Sequence, residues 1–315
     1  MTTNGSKPNT FIMDGREIDI RPGETIFRAG RRHDIRVPHL CYSPKPGYRS
    51  DGNCRVCMVE IEGERVLAAS CLRAPTPGMV VKTGTDRAKN ARRMVAELLL
   101  TDQPDLAHAH DPDSELWKIV KRGKIEPGRF PRREAPAPDR SHPAMAVNLD
   151  ACIHCNLCVR ACREVQVNDV IGMAGRGHHE HIVFDFDDPM GASTCVACGE
   201  CVQACPTGAL MPATIVDENN VYTGKPDRSV DSVCPYCGVG CQLTYHIKDD
   251  KLLYVSGKNG PANQNRLCVK GRFGFDYVSN PQRLTAPLVR KDGVGKAADD
   301  LVDPSNPWTH FREAS

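Results

Sequence analysis

The sequence predicts a multi-domain α+β protein whose modules fold around metal-bound cysteines, and three observations carry that expectation. The sixteen cysteines fall by spacing into four groups of four, with none left over. Only 5% of residues are aromatic, while 24 prolines and 26 glycines imply much loop; such a chain suits small metal-stapled modules better than one large apolar core. Hairpin signals and short helical stretches alternate along the chain, which at 315 residues has room for two or three domains. The formal net charge of +2 makes no global case for nucleic acid. The N-terminal stretch MTTNGSKPNTFIMDG has no apolar core of a secretory signal, and no run of apolar residues approaches the ~18 needed to span a membrane. So many cysteines without an export signal point to metal ligation in a reducing, cytoplasmic compartment rather than to disulfides.

Residues 8–84 form the first predicted module. Thr10–Met13 and Arg16–Ile20 flank Asp14-Gly15, a short hairpin signal. Pro22-Gly23 ends the second strand, and Glu24–Arg32 suits a short helix. A second hairpin pairs Cys57–Ile61 with Arg65–Ala69 across Glu62-Gly63, and Val80–Lys82 closes the module. Its cysteines are Cys41, Cys54, Cys57 and Cys71, spaced x12, x2 and x13. The glycines of GYRSDGNCRVC allow backbone to pass close to sulfur and donate N–H groups to it. Hairpin, helix, cysteine loop and hairpin is the order of a β-grasp ferredoxin. The spacing is not the plant-type one; it resembles the variant [2Fe–2S] domain of complex I, NAD-linked hydrogenases and NAD-linked formate dehydrogenases. Zinc remains a rival for four cysteines at these gaps.

Residues 85–145 carry no cysteine and read as a helical linker. Ala88, Ala91, Val95, Leu98 and Leu99 recur at helical spacing over Asp86–Leu100, with Thr85 as N-cap. Ser114 caps a second helix to Lys121, and the Pro- and Arg-rich stretch from Glu126 to Pro143 reads as an extended surface linker. His108 and His110 read as surface or helix-end residues.

Residues 146–216 hold two near-identical runs, Cys152-x2-Cys155-x2-Cys158-x3-Cys162 and Cys195-x2-Cys198-x2-Cys201-x3-Cys205-Pro206. This is the bacterial ferredoxin spacing for [4Fe–4S] clusters. Structural zinc prefers two C-x2-C knuckles on a longer arm, which this pattern fits poorly. The ferredoxin arrangement implies Cys152, Cys155, Cys158 and Cys205 on one cluster, and Cys195, Cys198, Cys201 and Cys162 on the other. Strands are expected at Ala146–Asp150 and Ile182–Phe186. The histidine-rich stretch from Gly172 to His181 reads as a solvated loop between helices. Arg160 and Arg163 stand close to the first run, either supporting the reduction potentials or serving as surface arginines.

After a polar linker (217–229), residues 230–315 open with Cys234-Pro-Tyr-Cys237-Gly-Val-Gly-Cys241 and continue to Cys268-Val-Lys270-Gly-Arg272. Between them Gln242–Ile247 and Lys251–Ser256 pair across Asp249-Asp250. This module resembles the N-terminal [4Fe–4S] domain of the molybdopterin oxidoreductases. In that family the lysine at the place of Lys270 lies between cluster and pterin and relays electrons.

Taken together, the three modules resemble the alpha subunit of cytoplasmic, NAD-dependent tungsten or molybdenum formate dehydrogenases, carried by stretches such as LDACIHCNLCVRACREVQVNDVIGMA and GPANQNRLCVKGRFGFDYV. The resemblance implies one [2Fe–2S] and three [4Fe–4S] clusters, relaying electrons between a Mo or W bis-pterin guanine dinucleotide centre and a flavin- and NAD-binding beta subunit. It also implies that the cluster bound by one His and three Cys in complex I is absent here. The catalytic body, with every residue that would touch formate, is expected outside these 315 residues, so the chain alone is not expected to oxidise formate. The alternatives are an NAD-linked hydrogenase or complex I-like subunit, a stand-alone ferredoxin-like carrier, and, more distantly, a zinc-binding interaction protein.

Overall fold

The computed structural model describes residues 9–126, 128–280, 283–295 and 310–314. Residue 8, the segment 296–309 with Trp308, and Ser315 lie outside the described residues.

The first module is a five-stranded sheet with strand order β2-β1-β5-β3-β4. Its strands are β1 (Thr10–Met13), β2 (Arg16–Asp19), β3 (Met58–Ile61), β4 (Ala68–Ala69) and β5 (Val80–Lys82). β1 pairs antiparallel with β2 through the Asp14-Gly15 turn and parallel with β5. Alternation turns Phe11, Met13, Ile18, Val59, Ile61 and Val81 into one core, against Ile26, Phe27 and Ala29 of helix α1 (Ile26–Arg32). The Thr25 hydroxyl caps α1 by accepting from the Arg28 N–H at 3.3 Å. The expected strand from Arg65 shrinks to Ala68–Ala69, because only Met58 and Val59 offer it ladder partners.

Helix α2 (Asp86–Thr101) starts at the Thr85 cap, and α3 (Glu115–Gly123) at Ser114. α3 ends where Lys124 turns left-handed. Leu100, Leu116, Trp117 and Val120 enter the largest core of the molecule. That core also holds Leu40, Cys41, Tyr48, Cys54 and Val56 of the first module and Leu157, Cys158 and Val159 of the second. The first cysteine loop is therefore packed into the second module rather than standing apart from it.

The second module pairs β6 (Met145–Val147) with β9 (Leu210–Pro212), and β7 (Ile171–Ala174) with β8 (His181–Phe184). Between them lie α4 (Leu157–Arg160), continued by a wider π turn over Ala161–Val165, and α5 (Glu200–Ala204). β6 begins one residue early and stops at Val147, because Leu149–Ala151 tighten into a 3-10 turn leading to Cys152. The stretch from Gly172 is not a plain loop. Ile171–Ala174 forms a hairpin arm, leaving His178 and His179 exposed at the tip.

The third module is a three-stranded meander of β10 (Arg228–Val233), β11 (Gln242–Lys248) and β12 (Lys251–Gly257). It surrounds a small core of Leu243, Val255, Leu267 and Phe275, with α6 (Val269–Phe273) packed on β12. β10 departs from the expected linker; all six of its residues are exposed, so its sequence carries no in-out alternation. Asn220, in the same stretch, is fully buried and donates from Nδ2 to Asn148 Oδ1 at 2.6 Å. A two-stranded ribbon, β13 (Leu288–Arg290) with β14 (Phe311–Glu313), follows.

Candidate metal centres

The four cysteine groups are each brought together, by different local devices. In the first, Cys41 and Cys54 face one another: the Cys41 N–H donates to Cys54 Sγ and the Cys54 N–H to Cys41 Sγ, both at 3.4 Å. Gly52 has φ +68°, a left-handed backbone that favours glycine, two residues before Cys54. Hydrogen bonds from the Cys54 and Cys71 thiols hold the Cys41 thiol far below its usual value, and those two partners are pushed up in turn. Cys57, accepting from Cys71, falls to about 7. All four are buried.

In the second group Cys152, Cys155, Cys158 and Cys205 line one small cavity whose other walls include Leu149, Ile153, Ile182 and Leu210. In the third, Cys162, Cys195, Cys198 and Cys201 line another, with Val170, Ile171 and Val196. Each cavity thus takes three thiols from one run and the last thiol of the other. The two runs share a backbone device. His154 and Ala197, two residues after the first cysteine, and Asn156 and Gly199, one after the second, all have φ between 50° and 67°. Three of these four are not glycine, and a left-handed backbone is costly for them unless the surroundings impose it. The conformation turns the His154 N–H onto Cys152 Sγ at 3.5 Å and the Ala197 N–H onto Cys195 Sγ at 3.4 Å. Val170 N–H donates to Cys162 Sγ at 3.3 Å.

In the fourth, Cys234 N–H donates to the Cys241 carbonyl at 2.8 Å, Gly240 supplies φ +71°, and α6 starts directly from Cys268. Cys237 and Cys268 are exposed, as is Lys270 on the first turn of α6. Val233, Tyr236, Val239 and Val269, close to them in sequence, are exposed as well.

The donor sets fit iron–sulphur clusters. Burial pushes the Cys152 thiol up to about 12 and also raises the Cys158 and Cys201 thiols well above their usual value. Four thiolates in such apolar walls need a cationic core to compensate them. Backbone N–H donors aimed at sulfur are the outer-shell support that thiolate-bound iron uses.

Several residues at the junctions carry no motif. Arg160 is 2% exposed and donates to the Cys41 carbonyl at 2.8 Å and the Cys155 carbonyl at 3.2 Å. Arg163, one turn away, is exposed and pairs with Asp169 at 2.5 Å. Glu200, between Cys198 and Cys201, is 1% exposed. It accepts from the Tyr48 hydroxyl at 2.9 Å and from Arg272 at 3.2 Å, so one carboxylate joins all three modules. The Arg272 guanidinium also reaches the Cys198 carbonyl at 3.2 Å. Asn263 donates to the Gln242 and Arg266 carbonyls and accepts from the Gln242 N–H, tying the Cys268 loop to β11. His108 is exposed beside Asp105, as expected, but His110 is buried. Its ring holds Asp150 at 2.9 Å and the Asn220 carbonyl at 2.7 Å. Burial works against the charged ring; the Asp150 carboxylate and the carbonyl outweigh it and raise the pKa.

Residues 6–86 match the 2Fe-2S iron-sulfur cluster binding domain. Residues 151–209 match the 4Fe-4S dicluster domain, and residues 227–280 the molybdopterin oxidoreductase Fe4S4 domain. The molecule is therefore a multi-domain α+β iron–sulphur protein of those three parts. Among its relatives is an NADH-quinone oxidoreductase chain of Rhizobium meliloti, 32% identical over 94% of this chain and 37% of that protein. A Staphylococcus haemolyticus protein named "Putative formate dehydrogenase SH0748" is 27% identical over 89% of this chain and 32% of its own length. A chain of the NAD+-reducing [NiFe]-hydrogenase, in its H2-reduced crystal structure, superposes with a TM-score of 0.60 at 27% identity, covering 65% of this chain and 87% of that one. The chain spans about a third of the length of the curated relatives it matches. Over its iron–sulphur modules it is a distant homologue of these formate dehydrogenase-like and NADH-quinone oxidoreductase chains. No helix among the described residues is long and apolar enough to cross a membrane.

Proposed function

We propose that this chain is the electron-transfer arm of a cytoplasmic, NAD-dependent formate dehydrogenase, placed between a Mo or W bis-pterin centre outside this chain and a flavin- and NAD-binding subunit. Cys41, Cys54, Cys57 and Cys71 hold one [2Fe–2S] cluster. Three [4Fe–4S] clusters are held by Cys152, Cys155, Cys158 and Cys205; by Cys195, Cys198, Cys201 and Cys162; and by Cys234, Cys237, Cys241 and Cys268. The clusters supply one-electron storage at potentials set by ligation, hydrogen bonds and burial. The protein's part is to fix the thiols, exclude water from the first three sets and aim N–H groups at sulfur. Domain limits at 8–84, 85–145, 146–216 and 230–315 follow the same reading.

The observation that carries the pterin assignment is the exposed fourth set. Cys237, Cys268 and Lys270 are exposed, as are the residues near them in sequence, Val233, Tyr236, Val239 and Val269, and exposed cysteines among exposed apolar side chains suit burial against a catalytic domain. Lys270 then stands between cluster and pterin. A second reading, the iron–sulphur subunit of an NAD-linked hydrogenase or a complex I-like enzyme, is supported by the hydrogenase superposition and by the identity to the Rhizobium meliloti NADH-quinone oxidoreductase chain.

Metal analysis of the anaerobically purified chain should find about 14 Fe. About four Zn with little Fe would refute the redox reading. Formate, and not hydrogen, should then bleach the clusters of the complex isolated with its native partners; bleaching by hydrogen alone would favour the second reading.

A further inference from the structure

Of the two arginines beside the first run, only Arg160 is placed to act on two cysteine sets at once. It lies on α4 with 2% exposure. Its NH2 group donates to the carbonyls of Cys41 and Cys155, which belong to different sets and different modules. NH1 donates to the Arg49 carbonyl, and Nε lies 3.3 Å from the Asn156 carbonyl and 3.0 Å from Asp51 Oδ2. The Cys41 and Asn156 contacts bracket the guanidinium between two ligand loops, and Arg49 and Asp51 fix it to the loop carrying Cys54. A guanidinium does not lose its proton in proteins, so this is a permanent buried cation. Among the described residues its one carboxylate partner is Asp51, which is 12% exposed and also pairs with Arg49.

We infer that Arg160 is a positioning residue shared by the Cys41 and Cys152 sets: one buried cation that holds the two ligand loops at fixed spacing and raises the reduction potentials of both iron–sulphur groups together. This rests on the iron–sulphur reading of those sets and adds an order to it. The [2Fe–2S] set adjoins the Cys152 set across Arg160, and the Cys195 set adjoins the third module across Arg272, which reaches Glu200 and the Cys198 carbonyl. Each group takes up one electron on reduction. No bond forms or breaks and no proton need follow, because the arginine stays charged and compensates part of the added negative charge in a poorly screened interior. A purely mechanical bolt between modules would need the hydrogen bonds but not the charge.

The test is a dithionite titration of the anaerobic holo-chain followed by electron paramagnetic resonance, reading each midpoint separately. Arg160→Met should lower the [2Fe–2S] and the Cys152-set midpoints together, by about tenfold in the reduction equilibrium, or about 59 mV for one electron. The Cys234-set midpoint should stay in place. Asp51→Asn, which removes the negative partner and keeps the arginine, should shift the same two midpoints upward. Arg160→Lys should restore most of the loss, and Arg163→Met, whose charge is solvent-screened, should move neither. A shift in only one of the two midpoints, or the same sign for Arg160→Met and Asp51→Asn, would overturn the inference. Should Arg160→Met fail to fold, Asp51→Asn decides alone: a joint rise supports the assignment and no change refutes it. Wild-type protein without iron would instead overturn the cluster reading itself, a result separable from intact signals with unshifted midpoints.

Discussion

Truncating Glu200 to alanine tests whether one buried carboxylate holds the three modules together. The Glu200 and Arg272 side chains are 1% and 4% exposed. Alanine would leave the Arg272 guanidinium in the interior with carbonyl and amide partners but no counter-charge. Breaking a buried pair in this way costs about 3–5 kcal/mol. The Tyr48 hydroxyl would also lose its charged acceptor, a loss of about 1–3 kcal/mol that overlaps the first and is not simply added to it. The matched control is Asp169→Ala, which removes an ion pair whose side chains are 54% and 62% exposed and should cost less than about 1 kcal/mol. Thermal scans of the anaerobic holo-protein at one fixed rate, since cluster proteins unfold irreversibly, should show the apparent midpoint of Glu200→Ala falling by roughly 10 °C. Asp169→Ala should barely move. Glu200→Gln keeps an acceptor for Tyr48 and should fall between them. Equal midpoints for Glu200→Ala and Asp169→Ala would refute the idea that this carboxylate joins the modules.

Three further outcomes follow from the site geometry. Cys158→Ala should lose about four iron atoms and one [4Fe–4S] signal while the [2Fe–2S] signal persists; loss of every signal would mean that the modules fold as one unit. Because the pKa of His110 is raised in the folded state, its pairing with Asp150 stabilises fully below pH ~6.5 and is lost as pH rises through the higher folded value. His110→Gln should therefore flatten the pH dependence of the melting midpoint on the alkaline side of 6.5; an unchanged profile would contradict the pairing. Thr85→Ala, which deletes the cap on α2 at the Ala88 N–H, should cost about 1 kcal/mol in the same scans without altering iron content.

What could be read in the sequence was local. The x2, x2, x3 runs, the Asp14-Gly15 turn, and the Thr85 and Ser114 caps each act over a few residues, so their spacing is already their geometry. The strands at Thr10–Met13 and Val80–Lys82 come out with the expected limits, because in-out alternation is a property of the strand itself. The strand β10 did not show, since an all-exposed strand has no alternation to read. His110 looked like a surface residue because nothing nearby in sequence announces Asp150, 40 residues on, or Asn220, 110 residues on.

The sequence by itself determined the four cysteine groups, their donor chemistry and the order of the modules along the chain. The tertiary structure alone decided how the modules meet: Cys41 beside Cys155 across Arg160, and Tyr48, Glu200 and Arg272 in one buried chain. The contacts that cross between modules join residues from 72 to 152 positions apart. A hydrogen bond depends on distance in space and leaves no period in the sequence, so only packing three modules against a common core brings these partners together.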